Sequence, residues 1–492
     1  MKTILEYLEH TVHISAEKLA FISEDEELSF RRLYDESRAV GSFLCENDIS
    51  KQPVAVFMKK SPSMIAAFLG VAYGGGYYVP LDAEMPAFRI KLILETVNPS
   101  LIIYDETTQK LIANWGLEYK TAIYNDLREH PISETDLTLV REKITDMDPM
   151  YVVFTSGSTG VPKGVVASHR AVIDYIEAIS PVLGANSNSV FGMQSPLYLD
   201  ACLKEIGPTL KFGAKTYIIP PSLFMFPVRL IEYLNTNKIN TICWVASALG
   251  LVAGLGALEK SQPESLHTVA FTSEVLPVKH FNRWRESIPD GRFIHFYGPT
   301  EATGVSTFYL VDRFFEDGES IPIGQPFPNT EIILLDDGEI CIRGTCLSLG
   351  YYKDPAKTQA AFVQNPLSDF PDIIYKTGDL GYRDENGMLY FISRRDHQIK
   401  HMGYRIELAE IEWVAARCKG VELACAVFDQ EKSRIIMYYT GELAQADIKT
   451  YLKSNLPRYM MPYAIFPLEA LPLTPGGKFD RVMLLEKYKE GR

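Results

Sequence analysis

The sequence predicts an α/β protein with largely parallel sheets, in a large domain of layered sheets and helices, followed by a small α+β domain. Its 492 residues exceed what one hydrophobic core usually organises. From residue 1 to about 394, short apolar runs alternate with helical patterns, as in layered α/β folds. After Arg394 the pattern changes. We therefore expect one domain over 1–394 and a second over 395–492.

Two strands and two helices are expected early in the first domain. The runs 54–58 and 100–104 are short and apolar, which is typical of buried strands. The stretches 62–72 and 88–97 have helical patterns. Strands and helices that follow one another in this way favour a parallel sheet with helices on its faces.

The expected small domain has a different pattern. Apolar residues alternate over 421–427 and over 435–439, which predicts strands buried on one face only. Helices are expected over 409–418 and 446–452. We place the hinge between the domains at Asp396, in a short charged segment.

Composition narrows the classes of function. The 49 basic and 62 acidic side chains give a net charge of −13, which opposes binding to nucleic acid or an anionic membrane. The seven cysteines are scattered, which predicts reduced thiols rather than a zinc site. The N-terminus lacks the apolar run of a signal peptide. Glycines interrupt the apolar stretches 63–81 and 242–258, so we expect buried strand and helix there, and a soluble, cytoplasmic protein without membrane insertion.

The strongest local pattern is the segment 151–164, where an apolar strand enters a loop of glycines and hydroxyls. Gly157 and Gly160 let the backbone approach a ligand closely, and Lys163 adds positive charge. The hydroxyl groups belong to Thr155, Ser156, Ser158 and Thr159. This composition suits a polyphosphate, although a flexible surface loop remains the alternative. The loop is not a Walker A motif, because Pro162 and Gly164 stand where that motif needs other residues.

This loop resembles the signature of the adenylate-forming superfamily, which includes amino-acid adenylation domains, acyl-CoA synthetases and firefly luciferase. Further segments match in the family's order: 74–82, 296–301, 338–344, 375–380, 394–412 and 471–481. The resemblance covers nearly the whole chain. It implies a large adenylate-forming domain and a small mobile C-terminal lid that carries the catalytic lysine. It also implies ATP and Mg²⁺ as cofactors.

The resemblance assigns nucleotide-binding roles residue by residue. Tyr297 would stack on adenine, Asp379 and Arg394 would contact the ribose, and Glu301 would hold Mg²⁺. From the residues alone, two alternatives remain: Tyr297 could be a packed core residue, and Arg394 could be a solvated charge. The full set for ATP or AMP is Thr155, Ser156, Gly157, Ser158, Thr159, Lys163, Tyr297, Thr300, Asp379 and Arg394.

The resemblance also implies a two-step reaction. A carboxylate attacks the α-phosphorus of ATP and gives an acyl adenylate and pyrophosphate, and a thiol then displaces AMP. Lys478 would serve the first step, and the loop at Gly403 would serve the second after rotation about Asp396. Taken alone, Lys478 would be expected to be a solvated lysine. Met402 departs from the arginine or histidine usual before that glycine.

Asp200 indicates which carboxylate is activated. It falls where amino-acid adenylation domains pair an aspartate with the substrate ammonium, and acyl-CoA synthetases generally lack an acid there. The alternative is a solvated loop aspartate. By register the pocket comprises Asp200, Ala201, Lys204, Cys243, Ala270, Thr272, Phe296, Gly304 and Val305. Lys204 either pairs with an acidic substrate side chain or points to solvent.

The sequence therefore predicts an amino-acid ligase that loads a carrier protein. Segments 239–244 and 271–277 resemble D-alanine–carrier protein ligases, but Thr272 and Ser273 differ from their usual residues. No phosphopantetheine attachment motif is present, so we expect the carrier to be a separate chain. The alternatives are an acid–CoA ligase and a catalytically silent ATP-binding relative.

Overall fold

The protein is described by a computed structural model that covers residues 1–115, 119–157, 160–474 and 478–491. The chain divides into two compact units. The first comprises 1–83, 97–153 and 164–393, and the second comprises 84–96, 154–163 and 394–492. Among the described residues, no helix combines the length and the apolar character needed to cross a membrane.

The helices of the described residues are α1 (Leu5–Ser15), α2 (Phe30–Glu46), α3 (Pro62–Tyr73), α4 (Ala87–Val97), α5 (Gln109–Trp115), α6 (Tyr124–Leu127), α7 (Glu134–Lys143), α8 (His169–Leu183), α9 (Leu203–Phe212), α10 (Pro227–Thr236), α11 (Ala246–Gly254), α12 (Val278–Ser287), α13 (Pro355–Ala361), α14 (Leu408–Ala416), α15 (Gln445–Asn455) and α16 (Arg481–Lys489). Short 3₁₀ turns lie at Asp200–Cys202, Pro221–Met225, Thr300–Ala302 and Arg458–Met460.

The strands are β1 (Leu19–Ile22), β2 (Glu27–Ser29), β3 (Pro53–Met58), β4 (Tyr77–Asp82), β5 (Leu101–Tyr104), β6 (Thr121–Ile123), β7 (Pro149–Thr155), β8 (Lys163–Ser168), β9 (Val190–Met193), β10 (Lys215–Ile218), β11 (Thr241–Val245), β12 (Thr268–Thr272), β13 (Arg292–Tyr297), β14 (Thr307–Val311), β15 (Gln325–Pro326), β16 (Thr330–Leu334), β17 (Glu339–Gly344), β18 (Phe362–Gln364), β19 (Ile373–Arg383), β20 (Leu389–Arg394), β21 (Gln398–His401), β22 (Tyr404–Glu407), β23 (Leu423–Asp429), β24 (Arg434–Thr440) and β25 (Ala464–Pro467).

The early strands and helices expected from the sequence are confirmed as β3, β5, α3 and α4. Local chemistry explains where several helices begin and end. Ser61 and Ser168 cap the N-termini of α3 and α8, because each hydroxyl accepts a backbone N–H that the helix leaves unpaired. Pro62 occupies the first turn of α3, where its missing N–H costs nothing. Gly184 ends α8 in the left-handed conformation, at φ +68°.

Three sheets lie wholly or mainly in the first unit. The first has the order β15-β14-β13-β12-β11-β9-β10-β1-β2, and β11, β12 and β13 run parallel at its centre. The second has the order β6-β5-β3-β4-β7-β8, with β3 parallel to both β4 and β5. The third is antiparallel, in the order β16-β17-β19-β18 with β20 beside β19. This arrangement confirms the expected layered α/β class.

The second unit contains the hairpin β21–β22 and the sheet β23-β24-β25. The expectation that its strands are buried on one face only is wrong. Ala424 and Ala426 pack into a core with α14 and α15, while Cys425 and Val427 pack against α16 on the other face. The alternation in the sequence is between large and small apolar residues, so both faces of the sheet are covered.

Candidate active site

The predicted amino-acid pocket lies on the central parallel strands of the first unit. Cys243 on β11 stands directly beside Ala270 on β12, and both are fully buried. Thr272 ends β12, and Phe296 lies near the end of β13. Cys243, Ala270 and Phe296 pack in one buried core, and Thr272 and Phe296 lie toward the carboxyl ends of their strands, the edge at which ligands of α/β proteins bind. The structure thus brings the predicted strand residues together.

Asp200 lies beside this surface, in the 3₁₀ turn before α9. Its side chain is only 8% exposed, so the alternative of a solvated loop aspartate is wrong. Among the described residues its Oδ2 atom has no hydrogen-bond partner. Burial raises the pKa of Asp200, and the hydrogen bond from Thr300 and the positive charge of Lys204 offset this only in part. The carboxylate is therefore short of one cationic or donor partner.

Gly304 lies next to that carboxylate. A Cβ atom at Gly304 would stand 3.4 Å from Oδ2 of Asp200, and the backbone there has φ +89°. Glycine therefore suits the left-handed backbone and places no side chain against Oδ2. Val305, the next predicted pocket residue, is buried in the same core as Cys243 and Phe296.

Two buried pairs of a tyrosine and a carboxylate follow in the same unit, and each contains at least one residue of the predicted nucleotide and metal site. The hydroxyl of Tyr297 donates to Oδ2 of Asp379 over 2.7 Å, and both side chains are buried. The hydroxyl of Tyr351 donates to Oε1 of Glu301 over 2.7 Å, and Glu301 is fully buried. Each carboxylate is thus held in a fixed orientation. Sequence reasoning missed Tyr351, whose only signal is its place in a tyrosine pair at 351–352.

Thr300 takes a position that the sequence did not predict. It was expected to contact the nucleotide, and it lies close enough to Asp200 to lower the pKa of that carboxyl. The turn Thr300–Ala302 also carries Glu301, so one short element touches both predicted ligand groups. This turn connects the amino-acid pocket with the predicted metal residue.

The phosphate-loop residues that the structure describes belong to the second unit. Thr155 is buried, and within the described residues its Oγ1 atom lacks a hydrogen-bond partner. Ser156 instead uses its hydroxyl internally: it donates to the carbonyl of Arg405 over 2.7 Å and accepts from the N–H of Glu407 over 3.1 Å. A Cβ on Gly157 would stand 2.0 Å from the carbonyl of Val161, so only glycine fits there. Predicted residues Ser158 and Thr159 lie outside the described residues.

Lys163 completes the described part of this loop, at the first residue of β8. Its positive charge acts on Glu407. Burial raises the pKa of Glu407, and the charges of Lys163 and Arg405 offset this rise only in part. Thr155 and Lys163 therefore offer a hydroxyl and an ammonium group on one loop, which is the donor set that a phosphate group requires.

The hinge and lid residues also lie in the second unit. Arg394 makes two bonds of 2.7 Å to the carboxylate of Asp396. Burial acts to raise the pKa of Asp396, but the bonds from Arg394 outweigh it and lower the pKa. Met402 and Gly403 form the two-residue turn of the hairpin β21–β22, with φ +54° and +82°. Lys478 is exposed, and its N–H donates to the hydroxyl of Thr474.

Lys204 is fully buried, so the alternative that it points to solvent is wrong. Its ammonium donates to the carbonyl of Ala201 over 2.8 Å and approaches the hydroxyl of Ser195 at 3.4 Å. Glu205 is also buried nearby, and Lys60 is partly buried; sequence reasoning missed both. Glu205 carried a signal that could have revealed it, because it is a charged residue in the apolar stretch that follows Asp200.

No cluster of three or more metal-ligating side chains occurs within the described part of the chain. A single carboxylate such as Glu301 would suit Mg²⁺, which protein sites usually hold through one or two carboxylates together with substrate phosphates. Its complete burial and its bond from Tyr351 fix the carboxylate in place. The residues present fit the ion.

A comparison with family models decides what kind of protein this is. The model described as "AMP-binding enzyme" matches residues 8–352. The chain belongs to this family. The predicted resemblance is confirmed, and the protein is an adenylate-forming enzyme of the nonribosomal peptide synthetase adenylation type. Enzymes of this family use ATP and Mg²⁺ and act through an acyl adenylate.

Two relatives illustrate the similarity. Zwittermicin A synthase ZmaJ of Bacillus cereus is 32% identical over 513 residues, which cover 98% of this chain and 95% of that protein. Tyrocidine synthase 2 of Brevibacillus parabrevis is 29% identical over 99% of this chain. The chain spans only 14% of the length of tyrocidine synthase 2 and 7% of tyrocidine synthase 3.

Solved structures share the fold. PA1221, an NRPS protein with adenylation and PCP domains bound to a vinylsulfonamide inhibitor, is 25% identical with a TM-score of 0.83 and covers 99% of this chain and 84% of that one. AlmE of Vibrio cholerae, in complex with glycyl-adenosine-5'-phosphate, is 22% identical with a TM-score of 0.84. The o-succinylbenzoate CoA synthetase MenE of Bacillus subtilis is 20% identical with a TM-score of 0.83. The matches to AlmE and MenE each cover 99% of this chain and 98% of the matched chain, and they show the fold alone.

Proposed function

We propose that this chain activates an amino acid as aminoacyl-AMP, releases pyrophosphate, and transfers the aminoacyl group to the phosphopantetheine thiol of a separate carrier protein. The observation that carries the proposal is the unsatisfied Oδ2 atom of buried Asp200 beside Gly304. An α-ammonium group would supply the missing partner. A carboxylic acid without an amino group would leave the buried carboxylate unpaired, which is costly.

The nucleotide would be held by residues from several of the segments described above. Thr155 and Lys163 would contact phosphate oxygens, Tyr297 would stack on adenine, and Asp379 would accept hydrogen bonds from the ribose. Arg394 would contact the ribose as well. Mg²⁺ at Glu301 would neutralise charge on the phosphate oxygens.

In the first step, an oxygen of the amino-acid carboxylate forms a bond to the α-phosphorus, and the bond from that phosphorus to pyrophosphate breaks. Asp200 holds the ammonium so that the carboxylate points at the nucleotide. Lys478, in a small domain over 395–492, stabilises the developing negative charge.

In the second step, the thiol sulfur bonds to the carbonyl carbon and AMP leaves. The domain would rotate about Asp396 and bring the Gly403 turn to the site. A carrier protein as the thiol acceptor is supported by the similarity to PA1221, which has adenylation and PCP domains. We place the reaction in the cytoplasm.

ATP–pyrophosphate exchange tests the first step. The panel contains L- and D-amino acids, glycine and simple carboxylic acids, with Lys478→Ala as the control variant. Exchange driven by an amino acid and lost in Lys478→Ala supports the proposal. Exchange driven only by acids that lack an amino group would favour an acid–CoA ligase, and silence across the panel would favour an ATP-binding relative without activity.

The acceptor is tested separately. The adenylating enzyme is incubated with either a phosphopantetheinylated carrier protein or coenzyme A, and the products are weighed by mass spectrometry. An aminoacyl mass on the carrier supports the proposal. An aminoacyl mass on coenzyme A alone would contradict the second step and leave the first intact.

A further inference from the structure

The chain that leads to Asp200 leaves the sheet at the end of β9. Residues 194–199 lie between that strand and the 3₁₀ turn that carries Asp200, so no strand neighbour satisfies their backbone groups in a regular ladder. Several of these residues are buried. Buried carbonyl groups need donors from elsewhere, because an unpaired one is costly.

Two ammonium groups supply such donors, one at each end of this segment: that of the partly buried Lys60 and that of the fully buried Lys204. At its start, Nζ of Lys60 donates to the carbonyl of Gln194 over 3.1 Å and stands 3.5 Å from the carbonyl of Met193. At its end, Nζ of Lys204 donates to the carbonyl of Ala201 over 2.8 Å, the residue directly after Asp200. Lys204 also approaches the hydroxyl of Ser195, so it joins the two ends of the segment.

Glu205 supplies the opposite charge for both lysines. It is fully buried, and burial raises its pKa to about 7, although the charges of Lys204 and Lys60 oppose this rise and so favour its ionised form. Among the described residues neither of its carboxylate oxygens has a hydrogen-bond partner, so it acts on the lysines through charge rather than through a direct bond. Burial lowers the pKa of Lys60 to about 8, and the charge of Glu205 opposes this fall. The ionised form of Glu205 thereby favours the protonated form of Lys60, which is the form that donates.

We propose that Lys60 and Lys204 are positioning residues that clamp the segment 193–201 and so fix the carboxylate of Asp200 for the substrate ammonium. This inference rests on the proposed function of Asp200. It differs from the sequence expectation in one respect: Lys204 acts on the protein backbone and does not recognise a substrate side chain. Neither lysine touches the reacting atoms.

The first test compares Lys60→Met with Lys59→Met, using KM values from ATP–pyrophosphate exchange. Lys59 is the adjacent residue, but its side chain is 61% exposed and pairs with Asp25 at the surface, so it is a matched control. Lys60→Met is expected to raise KM for the amino acid by about 10- to 100-fold and to leave KM for ATP within about twofold, as the loss of charged hydrogen bonds would do. Lys60→Arg should restore most of the affinity because it keeps the charge and the donors. Equal rises in both KM values would overturn the proposal, since a general loosening would cause them.

The second test separates positioning from side-chain recognition. Lys204→Met is assayed against every amino acid that the wild type activates. The clamp predicts that KM rises for all of them by a similar factor and that their order of preference is unchanged. A changed order, above all a selective loss of aspartate or glutamate, would overturn the clamp and assign Lys204 to substrate recognition.

A third measurement does not depend on the substrate. Hydrogen–deuterium exchange of the peptide that covers 193–203 is followed in wild type, Lys60→Met and Lys59→Met. Faster exchange of this peptide in Lys60→Met alone supports the clamp, and unchanged exchange overturns it. If the wild type activates no amino acid but this peptide exchanges faster in Lys60→Met, the proposed function fails while the clamp stands.

Discussion

The hydroxyl of Tyr297 offers a sharp test of the nucleotide site, because the ring and the hydroxyl have separate tasks. The ring is assigned to adenine, and the hydroxyl holds Asp379 through a buried bond of 2.7 Å. Tyr297→Phe keeps the ring and removes only this donor. A hydrogen bond to a charged group contributes about 1.5–3 kcal/mol, which corresponds to a rise of about 10- to 150-fold in KM for ATP.

The assay is ATP–pyrophosphate exchange at a saturating concentration of the amino acid, with ATP varied. Tyr297→Leu should raise KM for ATP further, because it removes the stacking surface as well, which is worth about 1–3 kcal/mol per base. Tyr382→Phe is the control, since that tyrosine is half exposed in the same unit. An unchanged KM for ATP in Tyr297→Phe would refute the reasoning that the hydroxyl orients Asp379 for the ribose.

Three further predictions concern the metal, acid stability and the lid hairpin. Glu301→Gln should raise the Mg²⁺ concentration for half-maximal exchange by at least about tenfold, because a fixed carboxylate ligand is lost; an unchanged requirement would place the ion elsewhere. Burial lowers the pKa of His169 to about 4, although Asp148 and Asp146 oppose the fall, so the unfolded state binds more protons than the folded state between pH 4 and 6.5. The free energy of unfolding therefore decreases as the pH is lowered through that range. When the pH is lowered from 7 to 5, the free energy of unfolding measured with denaturant should decrease by about 2 kcal/mol less in His169→Gln than in wild type. The control His13→Gln, which changes an exposed histidine, should show the same decrease as wild type. Met402→Asn should stabilise the protein by about 1 kcal/mol in thermal unfolding, because asparagine adopts the positive φ of this turn more readily; a lower midpoint would contradict this.

The sequence was sufficient to predict those parts of the fold in which the residue pattern is compatible with only one kind of structure. The run 54–58 is wholly apolar, and it forms a strand buried at every residue. The sequence was insufficient where small apolar side chains do not indicate whether another element packs against them. Ala424 and Ala426 looked like the outward positions of a half-buried strand, whereas α14 and α15 cover them. Only the packing of distant segments reveals which face of such a strand is covered.

The candidate site shows the same limit. Asp200 stood out because it is a carboxylate among apolar residues, in a register that a resemblance could identify. No feature of the sequence distinguishes Lys60 from an exposed lysine. Lys59 and Lys60 are adjacent and chemically identical, and the end of β3 directs one to the surface and the other to the carbonyl of Gln194. Which lysine turns away from solvent depends on the path of the segment before Asp200, which lies more than 130 residues away in the chain.

The central claim is that Asp200 selects its substrate by the α-ammonium group. The most direct measurement is exchange driven by the best amino acid and by its analogue without the amino group, in wild type and in Asp200→Asn. Removing one partner of a buried ion pair costs about 3–5 kcal/mol, so the wild type should prefer the amino acid by more than about 100-fold, and Asp200→Asn should lose most of that preference. Equal exchange with both compounds in the wild type, or an undiminished preference in Asp200→Asn, would contradict the account.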